Sequence, residues 1–331
     1  MHDLDAAADD LNPNPLVAAR TFVAAIVGER DVIRVGGADA ATFLQGQLSA
    51  DVAALPVGGS TWSLLLEPQG KIDAWLRVWR TDDGFVLDVD AGWGERTEQR
   101  LRRFLLRVDV TLDAERWRSV SLRGPDSVSV DTTGCGAVLQ GPVDWRGLAG
   151  VDLLGPEVVA PDGVAVLEDA EADALRVEQG WPAMGRELDD TVIPAEAGQW
   201  LVDASVSFTK GCYTGQELVA RIDSRGGNVP RRLCGVLIEQ HLADPDGIAA
   251  GAEVVHDGQV RGVLTSVACS PVLGGILGLV LVHRSVESGA TVSVVGPGET
   301  VPGRVVDLPV ALPVDPARPG ASGSMAGTDP G

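Results

Sequence analysis

Two scarce residue types converge on one short stretch of this chain. Of its 26 basic residues only Lys71 and Lys210 are lysine, and its single tyrosine is Tyr213. Lys210 and Tyr213 flank Cys212 in the run Lys210-Gly211-Cys212-Tyr213-Thr214-Gly215-Gln216-Glu217. A chain that uses arginine almost everywhere suggests, where it keeps lysine, a site at which a compact, flexible ammonium is not replaceable by a planar guanidinium. The run leads into a helix predicted over Gln216–Ile222, so the helix dipole and the nearby ammonium would both favour a Cys212 thiolate. Glycines at 211 and 215 let a backbone or a ligand approach closely. The combination suits a reactive thiol or a soft-metal ligand; an inert thiol in a tight turn fits the same residues.

Other positions offer weaker chemistry. Asp73 follows the Gly70-Lys71 turn, at the mouth of a strand that otherwise reads as core (Trp75, Leu76, Val78). An acid there serves as a general acid/base or accepts a ligand N–H, or else faces water at an edge. Glu178, just before the Gly180-Trp181-Pro182 break, is a similar case. Arg221, Arg225, Arg231 and Arg232 form a local positive cluster able to grip carboxylates bidentately, or a solvated linker. Cys234 and Cys269 lie in apolar runs and read as core, and Cys135 as a loop residue. The four cysteines form no Cys-x-x-Cys pair and the histidines no triad, which disfavours a structural zinc site and leaves a Cys–His hydrolase unsupported. No metal is expected in the isolated chain. No glycine doublet builds a nucleotide-binding loop.

At 331 residues and 45% hydrophobic content the chain can hold two domains with cores of their own. A net charge of −21 disfavours broad contact with nucleic acid or anionic lipid. The first ten residues are acidic, unlike a secretory signal, and the longest apolar run, near Gly274–Val282, is too short to span a bilayer. The expected compartment is the cytoplasm.

The elements that must position these residues read as α+β. Asp31–Val35 is a predicted strand, and Asp39 a cap for a helix carrying Phe43, Leu44 and Leu48. Thr61–Glu67, Ile72–Arg80 and Phe85–Val89 form a meander with turns at Pro68-Gln69-Gly70 and Asp82-Asp83-Gly84. A helix over Glu95–Val108 has an apolar stripe of Leu101, Phe104, Leu105 and Val108 opposite Arg96, Arg100, Arg103 and Arg107. Another covers Glu168–Gln179, ended by Gly180. Beyond Pro230 the pattern changes to short β runs (Leu233–Glu239, Glu253–His256, Arg261–Ser266, Leu277–Val282, Thr291–Val295), a small antiparallel barrel or sandwich. The expected division is a loose arm over 1–15, a larger domain over 16–230, the β domain over 231–307 and a disordered tail over 308–331.

The run Lys210–Glu217 resembles the motif of the YgfZ-type folate-binding proteins, relatives of the glycine cleavage T-protein (aminomethyltransferase). Phe43-Leu44-Gln45-Gly46-Gln47-Leu48 with Asp51, Arg176-Val177-Glu178-Gln179-Gly180 and Ile193-Pro194-Ala195-Glu196 resemble further elements of that family. The resemblance implies a T-protein-like folate-binding domain followed by a small C-terminal antiparallel β-barrel. It implies tetrahydrofolate or a related folate as cofactor. It matches Asp73 to the catalytic aspartate of T-proteins and Glu178 to the acid that bonds the pterin ring. Asp90 stands where T-proteins commonly have asparagine and Met184 where they often have tyrosine, which speaks against aminomethyl transfer. The implied role is an accessory one in the assembly or repair of iron–sulfur enzymes, with any link to tRNA modification indirect. Cys212 would be the functional thiol, able to serve as a cluster ligand shared transiently with an iron–sulfur carrier or client. Lys210, Tyr213, Asp90 and Arg221 join Glu178 as expected cofactor-binding residues, with Arg221 on the glutamate tail. A C1 transferase using Asp73 and a non-catalytic scaffold are the alternatives.

Overall fold

The computed structural model describes residues 15–239 and 247–310; the expected arm, apart from Pro15, and the tail beyond 310 lie outside the described residues. The chain opens with helix α1 (Pro15–Thr21) and strand β1 (Ala24–Gly36). Helix α2 (Ala40–Gln47) precedes the expected meander of β2 (Ser60–Leu66), β3 (Ile72–Thr81) and β4 (Gly84–Asp90). Helix α3 (Gly94–Arg102) leads to β5 (Thr111–Arg123), β6 (Leu139–Trp145) and β7 (Leu148–Gly155). These strands form one antiparallel sheet in the order β2-β3-β4-β1-β5-β7-β6, and the short β8 (Ala165–Val166) runs parallel to β1.

Alternation gives this sheet two unlike faces. Ile33, Val35, Leu65, Leu76, Val78, Leu87 and Val89 make an apolar face that packs with Phe43 and Leu44 of α2 and Leu101 of α3. The other face carries Arg30, Trp62, Trp75, Arg77, Asp88, Ser119, Ser121, Arg123 and Asp152. The sheet curls over this polar face, and Arg77 of β3 donates to Pro142 O on the edge strand β6 at 2.8 Å. Only glycine fits at 141, since a Cβ there would lie 2.6 Å from Arg77 Nη2 and 2.9 Å from the Trp79 ring. The result is a dome with a polar, aromatic interior.

Helix α4 (Asp169–Gln179) has a reciprocal capping box between Glu168 and Glu171, and ends on Gly180 at φ 61°. It is followed by the short helices α5 (Pro194–Ala197), α6 (Gln199–Ser205) and α7 (Gln216–Asp223). The second unit is a closed barrel of β9 (Arg231–Glu239), β10 (Glu253–His256), β11 (Gln259–Ser270), β12 (Gly275–His283), β13 (Thr291–Val295) and β14 (Thr300–Val306). Its inside is aliphatic: Val236, Ile238, Val254, Leu264, Ile276, Val280, Val294 and Val305, with Cys234 among them.

Four expectations need correction. Helix α3 stops at Arg102, so of its expected apolar stripe only Leu101 is fully buried, and Phe104 is 41% exposed. Asp39 makes no side-chain cap; its carboxylate accepts the Asp109 N–H at 2.8 Å instead. Cys269 is exposed on β11 rather than in the core, whereas Cys135 does lie in a loop, buried against Val120, Leu122 and Leu153. Strand β14 and the three strands β5 to β7 were not among the expected elements.

Candidate functional site

Cys212 lies on the loop between α6 and α7, and its side chain is exposed. What fixes this loop is Lys210. Its ammonium donates to three backbone carbonyls at the end of α2, Gln45 O at 2.7 Å, Leu48 O at 2.6 Å and Ala50 O at 2.9 Å. A helix C-terminus leaves carbonyls without partners, and three converging acceptors match the three donors of an ammonium but not the flat fork of a guanidinium. Burial lowers the lysine pKa to about 8, opposed by the charge of Asp51. The Tyr213 ring sits 5.1 Å from Lys210 Nζ and packs against the main core, and burial raises its hydroxyl to about 12. The contacts of Lys210 and Tyr213 are thus with the protein itself.

A pair of glycines fastens the other end of the loop. Gly215 (φ 82°) and Gly70 (φ 78°) face each other where the β2–β3 turn meets α7. A Cβ on Gly215 would fall 2.5 Å from Glu67 O, and one on Gly70 would fall 2.6 Å from Leu218 Cβ. Helix α7 begins at Gln216, as expected, four residues beyond Cys212, while the Lys210 ammonium is directed at the carbonyls after α2. Exposure and a fixed loop distinguish this thiol.

The dome interior holds what the sequence reading missed. Trp62 stacks on Trp75 with centroids 4.4 Å apart, Trp145 stacks on Trp181 at 5.4 Å, and Trp200 lies 5.3 Å from Trp181. Beside these rings Arg77 and Arg123 pair with Asp152 at 3.2 and 2.8 Å, and Arg30 pairs with Asp88 and Asp90. Buried charges persist only when paired in this way. Asp90 also accepts the Met184 N–H at 2.8 Å. A cavity of about 70 Å³ remains between Trp62, Trp145 and Trp181 and the polar strand residues. Arg123, which lines this cavity, has its Nε buried without an acceptor. One signal for this cluster was available: tryptophan supplies 8 of the chain's few aromatic residues, against 5 Phe and 1 Tyr.

Asp73 is buried on β3, and both carboxylate oxygens are taken. Arg96 Nε meets Oδ1 and Arg100 Nε meets Oδ2, each at 3.1 Å. It forms one wall of an open cleft rather than standing free as an acid or base. Glu178 is also committed elsewhere. It accepts from Arg20 of α1 and from Ser270 Oγ of the barrel at 2.6 Å, which joins α1, α4 and β11 and keeps it out of the cavity lining. Arg221 lies on the exposed side of α7, where its ion-pair partner among the described residues is Glu217 at 3.8 Å, and it does not line the dome cavity.

An aminomethyltransferase of Rubrobacter xylanophilus is 30% identical over 82% of this chain and 78% of its own length. The chain belongs to the aminomethyltransferase family. Residues 231–311 match the glycine cleavage T-protein C-terminal barrel domain. Within the family it is a YgfZ-type member, related to the T-proteins rather than defined by them. A mitochondrial iron–sulfur cluster assembly factor IBA57 homolog of Pyricularia oryzae is 28% identical, over 70% of this chain and 60% of that one. The glycine cleavage system aminomethyltransferase T from Bartonella henselae shares the fold, with a TM-score of 0.73 at 20% identity over 89% of this chain and 88% of that one.

Proposed function

We propose that this chain is a folate-assisted accessory factor for the assembly or repair of iron–sulfur proteins, acting through the Cys212 thiol. The observation that carries the reading is the exposed cysteine on a loop anchored at both ends, by the Lys210 ammonium and by the Gly70–Gly215 contact. A relative named as an iron–sulfur cluster assembly factor supports it. One thiolate does not hold a cluster, and among the described residues no group of three or more His, Cys, Asp or Glu side chains is arranged to bind a metal. Cys212 therefore supplies one ligand to a cluster whose remaining ligands come from a carrier or client protein.

The dome is the place for the folate. A pterin is flat, with a hydrogen-bonding edge, and tryptophan faces beside the unpartnered Arg123 Nε fit that chemistry. The 70 Å³ of free space is well below the roughly 300 Å³ at which ligand pockets begin, so the dome would hold a pterin only with one of its indoles moved aside. Trp181, which touches Trp62, Trp75, Trp145 and Trp200, is the residue whose rotation opens it. A folate there supplies a one-carbon carrier; the chain's residues bind and orient it.

Relatives named aminomethyltransferase favour a second reading, one-carbon transfer with Asp73 as acid or base. The two arginines on Asp73 weigh against it. Calorimetric titration with tetrahydrofolate under anaerobic, reducing conditions tests the division of labour. Saturable binding is expected, weakened at least tenfold by Trp181→Leu and unchanged by Cys212→Ser. No binding by the wild type removes the folate from the account, and equal loss in both variants removes the separation of thiol and cofactor.

A further inference from the structure

The β6–β7 hairpin turns through Arg146 and Gly147, since Trp145 and Leu148 pair directly. Both turn residues take positive φ, 54° and 102°. Such a turn favours Asn-Gly, because asparagine enters the left-handed region more readily than a long side chain does. Arginine stands here against that preference, and the reason lies in what its side chain holds. The guanidinium is half-buried, and no carboxylate pairs with it among the described residues. It collects main-chain carbonyls instead. Nη1 lies 3.5 Å from Gln179 O and from Gly180 O at the end of α4, and Nη2 donates to Leu308 O, beyond the last strand of the barrel. The guanidinium carbon also lies 5.0 Å from the centre of the Trp200 ring. The junction leaves no spare room: a Cβ on Gly180 would fall 2.7 Å from both Arg146 Nη1 and Leu308 Cβ.

Residues 307–310 leave β14 and run back toward the dome. The Val310 N–H donates to Glu178 O at 2.9 Å, and Leu308 and Val310 pack against the cluster of Val177, Leu277 and Leu279. The parts that Arg146 ties together are the sequence neighbours of the indoles that close the cavity. Trp145 precedes it and Trp181 follows Gly180; their rings stack at 5.4 Å and both line the cavity. Trp200, under the guanidinium, lies 5.3 Å from Trp181.

We propose that residues 307–310 form a strap that, through Arg146, holds Trp145, Trp181 and Trp200 shut over the dome cavity, so that release of the strap admits the ligand. This rests on the reading of the dome as a ligand site and adds to it a control exerted from the barrel side. The hairpin and the end of α4 must part before Trp181 can turn, and the strap bonds to both.

Two full-length variants test it. Arg146→Asn keeps a residue suited to the left-handed turn and removes the guanidinium. Val310→Pro removes the strap's N–H to Glu178 O and leaves Arg146 in place. Acrylamide quenching of tryptophan fluorescence and amide exchange are measured without ligand. Each variant is expected to raise the quenching constant about twofold or more, and the double variant no further than the larger single, because both act on one latch. Exchange should quicken at 145–148 and 179–182 and keep the wild-type rate in β10 and β13. Unchanged quenching overturns the proposal, as does a rise in only one of the two variants. Faster exchange throughout, β10 and β13 included, also overturns it, since that is general loss of stability. Stopped-flow mixing with tetrahydrofolate separates the strap from the dome reading. Association at least about threefold faster in Arg146→Asn than in the wild type is expected, because more of the variant is open. Equal association rates despite raised quenching overturn the control of entry. Raised quenching with no binding by either protein supports the strap and removes the folate.

Discussion

Lys210 carries more of the site than its neighbour Cys212 can by itself. Three short hydrogen bonds from one ammonium to the end of α2 set where the loop leaves the core. Lys210→Met leaves those carbonyls without a donor and should cost about 3 kcal/mol, since hydrogen bonds to charged groups are worth roughly 1.5–3 kcal/mol each and are not additive. Lys210→Arg should recover less than half of that in urea unfolding, because a planar fork does not serve three converging acceptors. A variant as stable as the wild type would contradict the tripod. The same residue sets a pH dependence. Its pKa falls from 10.5 to about 8 on folding, so between those values the unfolded chain binds more protons. The stability difference between wild type and Lys210→Met should be flat below pH 8 and move in favour of the wild type from about pH 8 to 10.5. A difference that does not change over that window would show that the lysine is not buried. Rarity in the sequence singled Lys210 out; its partners were not legible, because they depend on where α2 ends.

At the scale of elements, two turns meet through glycine. The chain comes so close at Gly70 and Gly215 that neither position has room for a methyl group, and both adopt the left-handed region. Gly215→Ala should lower stability by about 3 kcal/mol, combining backbone strain with overpacking. It should also speed amide exchange across residues 207–215. Unchanged exchange would mean that the loop does not depend on this contact. The meander and α4 were legible because alternation, turn residues and a capping box agree there. Helix α3 was not, since the sequence keeps a helical apolar period to Val108 while the chain leaves the helix at Arg102, and Arg107 takes φ 58°. Strands β5 to β7 were hidden for another reason: the polar dome interior puts Arg123, Ser121 and Asp152 where a core strand would carry aliphatic residues.

The whole molecule behaves as two units tied by buried polar groups. Glu187 accepts from Arg176, Thr265 and Ser266, and Glu178 links Arg20 to Ser270. Val177 of α4 also packs on Leu277 and Leu279 of the barrel. Such an interface should make unfolding one cooperative calorimetric transition; two resolved transitions would show that dome and barrel are independent. The composition change near Pro230 located the barrel, but the roles of Glu178 and Arg221 could not be placed without knowing which helix faces meet it. The acids expected to serve a ligand, Asp73 and Glu178, prove to be occupied by arginines, while the tryptophans that fill the dome carried no familiar motif.

The proposed working group is the exposed thiol of Cys212 and not an acid in the dome. The most direct test replaces the chromosomal copy with Cys212→Ser and measures the specific activity of iron–sulfur enzymes in the cell. Activity as low as in a strain lacking the protein is expected, while the variant accumulates to wild-type levels with an unchanged melting temperature. Wild-type activity in cells carrying Cys212→Ser would contradict it.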